Sequence, residues 1–368
     1  MTMTSRQRVS AAISQQPPDI VPVDLNVTVQ AYQSLLDHLG LAMPDDYSVN
    51  GAMEIIPDAD VLARLGVDLI SVKFPSNSKG MPESFTDSWG ITRKRIGNYY
   101  ESVTHPLCDA SIDDLESYDW PKLPGEENVL QLESHAENIY NETELALVGR
   151  FGGPVLELAA DLLGMEQWYI RLLTEKEFIL RLLNIITDIC TEYDLAGIEA
   201  CGKYLQIMKV SGEDFGVQNG TMYSPEVFNE ILLPVLRKRW AKVRQKLQDV
   251  GSEAKIMLHS CGSIGCFIQD LIDAGIDILD PVQPLAKGME PEKLKGEFGD
   301  KIVFHGGVDI QQLLPSGSPE EVYQGTVKCL EGFQADKGGF ILSPAHSVQA
   351  DVPPQNIIAM IEAVKNWN

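Results

Sequence analysis

Three side chains, two of them close together and the third far along the chain, are suited to gripping one metal ion: His259, Cys261 and His346. His259 and Cys261 are two residues apart, and at the end of a β-strand residues i and i+2 point to the same side. An imidazole nitrogen and a thiolate can then reach a common point. Taken alone, this His-x-Cys pair reads more readily as a buried thiol beside a satisfied histidine. His346 changes that balance, because it stands at the end of the last predicted strand and would bring a third ligand to the same mouth. Three protein ligands with a fourth position open is the arrangement of a catalytic zinc site.

Other reactive side chains also fall just past predicted strands. Glu213 and Asp214 could exchange a proton or orient a ligand histidine, and read equally as turn or cap carboxylates. His305 is a second candidate acid, a possible further ligand, or a core histidine. Phe151, Asp280, Gln283 and Gln349 are candidate substrate contacts. Trp89, Tyr99 and Tyr100 could form an aromatic lid, although packing within a hairpin is the commoner role for such residues. The remaining cysteines, Cys108, Cys190, Cys201, Cys266 and Cys329, form no CxxC pair and carry no motif.

The elements that must position these groups alternate between short apolar runs and helical patterns, which predicts an α/β fold with a mainly parallel sheet. Eight strands are predicted: Ile20–Asp24, Val67–Val72, Leu145–Gly149, Leu205–Val210, Lys255–Leu258, Ile276–Leu279, Ile302–Phe304 and Gly339–Leu342. Helical patterns fall at Val155–Thr174, Pro225–Val250, Gly265–Ala274, Pro319–Phe333 and Pro354–Trp367, with Ser224 and Ser318 placed as N-caps. The rhythm breaks between Phe74 and Glu144, where Pro, Gly and acidic residues gather and Trp89–Thr104 alternates like an antiparallel hairpin. The expectation is a single (β/α)8 TIM barrel over residues 1–368, with residues 74–144 inserted over its mouth. Its active site would then lie at the C-terminal strand ends.

Composition narrows the partners. The formal net charge is −24, which repels nucleic acid and anionic lipid. No apolar run approaches the ~20 residues of a membrane span, and the N-terminus has no signal-peptide core, so a cytoplasmic protein is expected. A homodimer is the base-rate expectation for assembly.

At the strand-end residues the chain resembles the uroporphyrinogen decarboxylase superfamily, and within it the zinc-dependent, corrinoid-linked methyltransferase branch. His259-Ser260-Cys261-Gly262 is similar to that branch's His-x-Cys-Gly motif, and Gly338–Ile357 to its C-terminal motif. Asp214-Phe215-Gly216-Val217-Gln218, Tyr223-Ser224-Pro225-Glu226 and Phe151-Gly152-Gly153-Pro154 also look like family signatures. Two departures stand out. His346 occupies a place where the better-known methyltransferases carry Cys. The stretch Pro22–Thr28 holds no Arg, whereas the decarboxylases carry an Arg-rich stretch after the first strand.

The resemblance implies a zinc enzyme that moves a methyl group between a small molecule and the corrinoid of a partner protein. One thiolate and two neutral histidines leave a bound zinc with about one net positive charge, which favours an oxygen leaving group. A methoxylated aromatic, undergoing O-demethylation, is therefore the favoured donor. A polycarboxylate tetrapyrrole would need cationic donors near the first strand. A metal-free decarboxylase is accordingly the second expectation. A non-catalytic relative that binds corrinoid or another ligand is the third.

Overall fold

The computed structural model describes residues 2–44, 47, 49–50, 53–75 and 82–367. Its centre is a parallel sheet of seven strands: β1 (Leu69–Val72), β2 (Ala146–Gly149), β3 (Leu205–Gly212), β4 (Lys255–His259), β5 (Ile278–Val282), β6 (Val303–Val308) and β7 (Phe340–Pro344). Each pairs with its neighbours in chain order. Helices cross between them, including Lys176–Cys201, Leu233–Asp249 and Pro319–Phe333. This is the (β/α) winding of a TIM-type barrel.

The first of the eight predicted strands, Ile20–Asp24, is held differently. Pro22 O accepts from Leu342 N and Asp24 N donates to Leu342 O, while Val23 O accepts from Asp68 N. The segment therefore bonds to both open edges of the sheet, yet it makes only one bridge, Val23 to Leu342. The reason is chemical. Pro22 has no N–H to give, and the Val23 N–H is taken by the Asp68 carboxylate at 2.9 Å.

The barrel interior follows the two-residue period of a strand. Its lower layer is apolar: Leu69, Val148, Ile207, Met257, Ile278, Val303 and Ile341 pack together with Val9 and Ile13 of the helix Ser5–Ile13. That helix closes the N-terminal end. Two residues further along β3 to β7 the series becomes Lys209, His259, Asp280, His305 and Ser343. The same inward face thus turns from hydrocarbon to polar chemistry within one step, and strand register sets His259 beside Asp280.

The predicted helices are present with modest changes. Val155–Thr174 is two helices, Leu156–Leu163 and Met165–Thr174, separated at Gly164. Pro225–Val250 contains a π-turn at Phe228–Leu232, and the Ser224 hydroxyl accepts from Val227 N. The predicted hairpin is a three-stranded antiparallel sheet of Ser84–Thr86, Thr92–Ile96 and Tyr99–Ser102. Residues 76–81 of the predicted insertion lie outside the described residues. Arg93 anchors this sheet by pairing with Asp87 and with Asp161 of Leu156–Leu163.

Candidate metal centre

His259 ends β4, and its Nδ1 donates to Asp280 Oδ2 at 3.0 Å. That bond fixes the tautomer and leaves Nε2 facing Cys261 Sγ at 3.3 Å. His346 comes from the loop after β7, where Ala345 N donates to Val308 O. One ligand atom from each of His259, Cys261 and His346 lies within 4.8 Å of the other two. Borderline-soft nitrogen and sulfur donors at this spacing suit a four-coordinate zinc with one place left open.

The loop carrying Cys261 is tied down from both sides. Cys261 N donates to Asp214 Oδ1 at 2.8 Å, and Gly262 N donates to Gln283 Oε1 at 2.7 Å. Gly262 has φ +83°, and a Cβ there would fall 2.4 Å from the backbone carbon of Gly216. Only glycine fits so close an approach.

Electrostatics favour deprotonation of the thiol. Burial pushes the Cys261 thiol up, but the neighbouring His259 and His346 outweigh it and hold the group below its usual range. Burial also works against a charged His259, yet Cys261 and Asp280 raise its pKa well above the ordinary value. Each of the two groups thus favours the charged form of the other. A cation bound here would compete with the proton on His259.

Asp280 is the hub beneath the ligands. Its Oδ2 accepts from Lys209 Nζ at 2.7 Å as well as from His259, and its Oδ1 accepts from His305 Nδ1 at 2.7 Å. His305 Nε2 donates in turn to Asp24 Oδ2 at 3.0 Å. Burial opposes the charged form of His305, but the two carboxylates prevail and hold its pKa up to about 9. Burial likewise raises Asp280, while Lys209 and the two histidines bring it well below the ordinary carboxylate range.

These bonds assign places to the other expected site residues. Both His305 nitrogens are committed to carboxylates, and the residue is buried beneath the cavity. Glu213 is fully buried and accepts from Val155 N and Leu156 N, so it caps the helix Leu156–Leu163 rather than facing substrate. Asp214 lines the cavity and steadies the Cys261 loop. Gln283 is used by Gly262 N. Phe151 packs edge-on against Phe74. Gln349 meets the Tyr99 hydroxyl, which links the inserted sheet to the final loop. Tyr100 is buried against Phe85, and Trp89 packs on Trp120.

The cavity beside His259 and His346 has a volume of about 420 Å³. One part of its wall is apolar, with Ile55, Ile56, Leu62 and Leu69, and another is charged. The charged part includes Glu54, Lys73, Arg150, Glu157 and Lys209, none of which was expected from the sequence. Arg150 pairs with Glu54 at 3.0 Å, and Glu54 also receives the Ser347 hydroxyl. Their sequence signal is position: Lys209 is two residues after Ile207, and Arg150 directly follows the strand that ends at Gly149.

Comparison with known proteins agrees with this picture. Over 370 aligned residues the chain is 22% identical to the methylcobamide:CoM methyltransferase MtaA of Methanosarcina barkeri (strain Fusaro / DSM 804), covering 98% of this chain and 97% of that one. It is 27% identical over 188 residues to the uroporphyrinogen decarboxylase of Danio rerio, where the match spans 50% of this chain and 46% of the relative. The uroporphyrinogen decarboxylase of Chlorobium limicola (strain DSM 245 / NBRC 103803 / 6330) is likewise matched over only 48% of its length, so the chain spans about half of these decarboxylases. Among solved structures, a methyltransferase from Methanosarcina mazei superposes with TM-score 0.68 at 20% identity, covering 99% of this chain and 98% of that one, which establishes the shared fold. The uroporphyrinogen decarboxylase (URO-D) family profile matches residues 99–367, well over half of the chain, and the protein belongs to that family.

Proposed function

We propose that this protein is a zinc-dependent methyltransferase that moves a methyl group between a small donor and the corrinoid of a partner protein. The observation that carries this reading is the convergence of His259, Cys261 and His346 beside a cavity large enough for a one-ring substrate. The full-length match to a methylcobamide:CoM methyltransferase supports the reaction class. A single barrel over residues 1–368, with 74–144 as an insertion at its mouth, is part of the same reading.

The favoured donor is a methoxylated aromatic. Zinc held by one thiolate and two neutral imidazoles would supply Lewis acidity toward the donor oxygen. The chain's own residues do the rest. Asp280 keeps His259 in the tautomer that presents Nε2, and Asp214 holds the Cys261 loop in place. Ile55, Ile56, Leu62 and Leu69 offer a face for a flat ring.

A metal-free decarboxylation of a polycarboxylate is less well supported. Of the three basic side chains that line the cavity, Arg150 is bound to Glu54 and Lys209 to Asp280, which leaves Lys73 alone to meet several carboxylates.

Metal analysis of the purified protein tests the site, and transfer assays test the reaction. Wild type is expected to carry one zinc per chain, and Cys261→Ala to lose it. With a corrinoid protein and Ti(III) citrate, wild type should release a phenol from at least one methoxybenzoate. Full zinc occupancy in Cys261→Ala would overturn the ligand set. Failure with every methoxyarene tried, by zinc-loaded wild type, would overturn the donor.

A further inference from the structure

Glu157 is the second residue of the helix Leu156–Leu163 and lines the same cavity as His259, His346 and Asp214. Its Oε1 accepts from Asp214 N at 2.8 Å. Its Oε2 is buried and has no hydrogen-bond partner among the described residues. A buried carboxyl oxygen left without a partner calls for an explanation, and a ligand in the cavity is one.

The surroundings decide which form Glu157 takes. From the end of β3 it faces Glu213 and Asp214, and Tyr223 stands close by. The nearest cation on the helix Leu233–Asp249, Arg239, is already engaged by Asp194 at 2.8 Å and lies 4.0 Å from Glu213. Burial, followed by repulsion from Glu213 and Asp214, raises the Glu157 pKa well above the ordinary carboxyl value. A neutral carboxyl has one O–H. Because Oε1 is already accepting a backbone N–H, the proton belongs on Oε2, the oxygen with no protein partner.

We propose that Glu157 is a catalytic acid that delivers its Oε2 proton to the donor oxygen as the methyl group leaves. The inference rests on the methoxyaryl reading above. The methyl carbon gains its new bond from the electron pair of a reduced corrinoid nucleophile. The carbon–oxygen bond breaks with its pair on oxygen, and that oxygen takes the Glu157 proton. The resulting carboxylate recovers a proton from water that enters the cavity once the product has left, so the chain is unchanged over a turnover. Glu213 and His305 are buried and fully engaged by other groups, and Asp214 steadies the Cys261 loop through Oδ1, so the proton-donating role expected of these three falls to Glu157 on the neighbouring helix.

The test compares wild type, Glu157→Gln and Glu213→Gln by infrared spectroscopy and by methyl transfer. Gln keeps the acceptor for Asp214 N and removes the proton. The protonated-carboxyl region of the wild-type spectrum at neutral pH should contain one component that is lost in Glu157→Gln and kept in Glu213→Gln. Transfer from 4-methoxybenzoate should fall about 10²-fold or more in Glu157→Gln, as expected for loss of a general acid. Transfer from 4-nitroanisole, whose leaving phenolate needs little protonation, should fall less than about tenfold. Zinc content should be unchanged. Absence of the infrared band, or equal losses for both donors, would overturn the proposal. Wild type inactive toward every methoxyarene but retaining the band would overturn the donor reading, and the proton-delivery role with it, while leaving Glu157 established as a neutral carboxyl.

Discussion

Replacing Asp280 by Asn should loosen the metal site without touching a ligand. Asp280 accepts from three donors at once: Lys209 Nζ, His259 Nδ1 and His305 Nδ1. Asparagine offers one acceptor oxygen and an NH₂ group. Whichever way the amide turns, its NH₂ confronts an N–H on one side. If that side is His259, the imidazole must turn or shift its proton to Nε2, the nitrogen facing Cys261, and so lose its ligand lone pair. Second-shell losses of this kind cost about 10–100-fold in metal affinity, or roughly 1.4–2.7 kcal/mol. Lys209, whose side chain is only 11% exposed, also loses its anion. Breaking a buried pair costs about 3–5 kcal/mol, and the residual exposure of Lys209 places this case toward the lower end. Zinc affinity is measured by competition with a chromophoric chelator, and stability by urea denaturation of the metal-free protein. Lys209→Met serves as a control, with stability altered and zinc affinity nearly retained. A zinc Kd for Asp280→Asn within twofold of wild type would refute the claim that this carboxylate sets the His259 tautomer.

Other perturbations probe separate parts of the structure. His305 has a pKa raised from 6.5 to about 9, so its stabilising charge is fully present below pH ~6.5 and lost as pH rises through 9. Between pH 6 and pH 10 wild type should therefore lose up to about 3 kcal/mol more in urea-denaturation free energy than His305→Gln does; parallel profiles would contradict the assignment. His346→Ala should reduce zinc to well below one per chain by mass spectrometry, since two protein ligands seldom hold zinc tightly. Gly262→Ala should cost about 2–4 kcal/mol in thermal or urea denaturation, because its Cβ meets the Gly216 backbone. Gly275→Ala, also at positive φ but with open space around it, should lose only about 1 kcal/mol. Arg239→Met, which leaves Asp194 unpaired behind the Gly152–Gly153 loop, should cost about 3–5 kcal/mol. Retention of wild-type stability would show that Asp194 is protonated and needs no partner.

Most of the barrel is legible from the chain because its strands are β-branched runs closed by turns, and its later helices carry strong caps such as Ser318. What escapes is systematic. The predicted strands stop at Leu258, Leu279 and Phe304, whereas they extend to His259, Val282 and Val308. A hydrophobic run ends where the barrel interior turns polar, which is where the chemistry begins. His259, Asp280 and His305 thus read as residues of loops although they are inward-facing strand positions. Lys209 has no signal by itself, since a lysine alternating with apolar residues reads as solvent-facing. Only the tertiary closure reveals that it shares a face with Ile207. Glu157 is hidden in another way, as one polar residue in an otherwise apolar helical pattern. The candidate ligands His259, Cys261 and His346, which the fold brings within 4.8 Å of one another, stand out in the sequence because ligand chemistry restricts residue type more tightly than position.

The charges under the cavity largely balance one another and leave the His259–Cys261 pair to decide what the candidate metal site takes up. Lys209 and the imidazolium of His305 carry two positive charges, and Asp280 and Asp24 carry two negative ones. The four sit within one hydrogen-bonded cluster, and their sum is zero. A separate pair, Arg150 with Glu54, is also balanced. Beside that cluster, Cys261 and the hydrogen bond to Asp280 both favour positive charge at His259, whether a proton or a metal cation. Protons and zinc therefore compete for the His259–Cys261 pair. It follows that zinc affinity should fall as pH drops, with release of ligand protons on binding. Calorimetric titration of zinc into metal-free protein in two buffers of different ionisation enthalpy reads those protons directly. Release of protons on binding, growing as pH falls, is the expected result, because both ligands must give up any proton they hold. Zinc binding with no proton released at any pH would refute the coupling of His259 to Cys261.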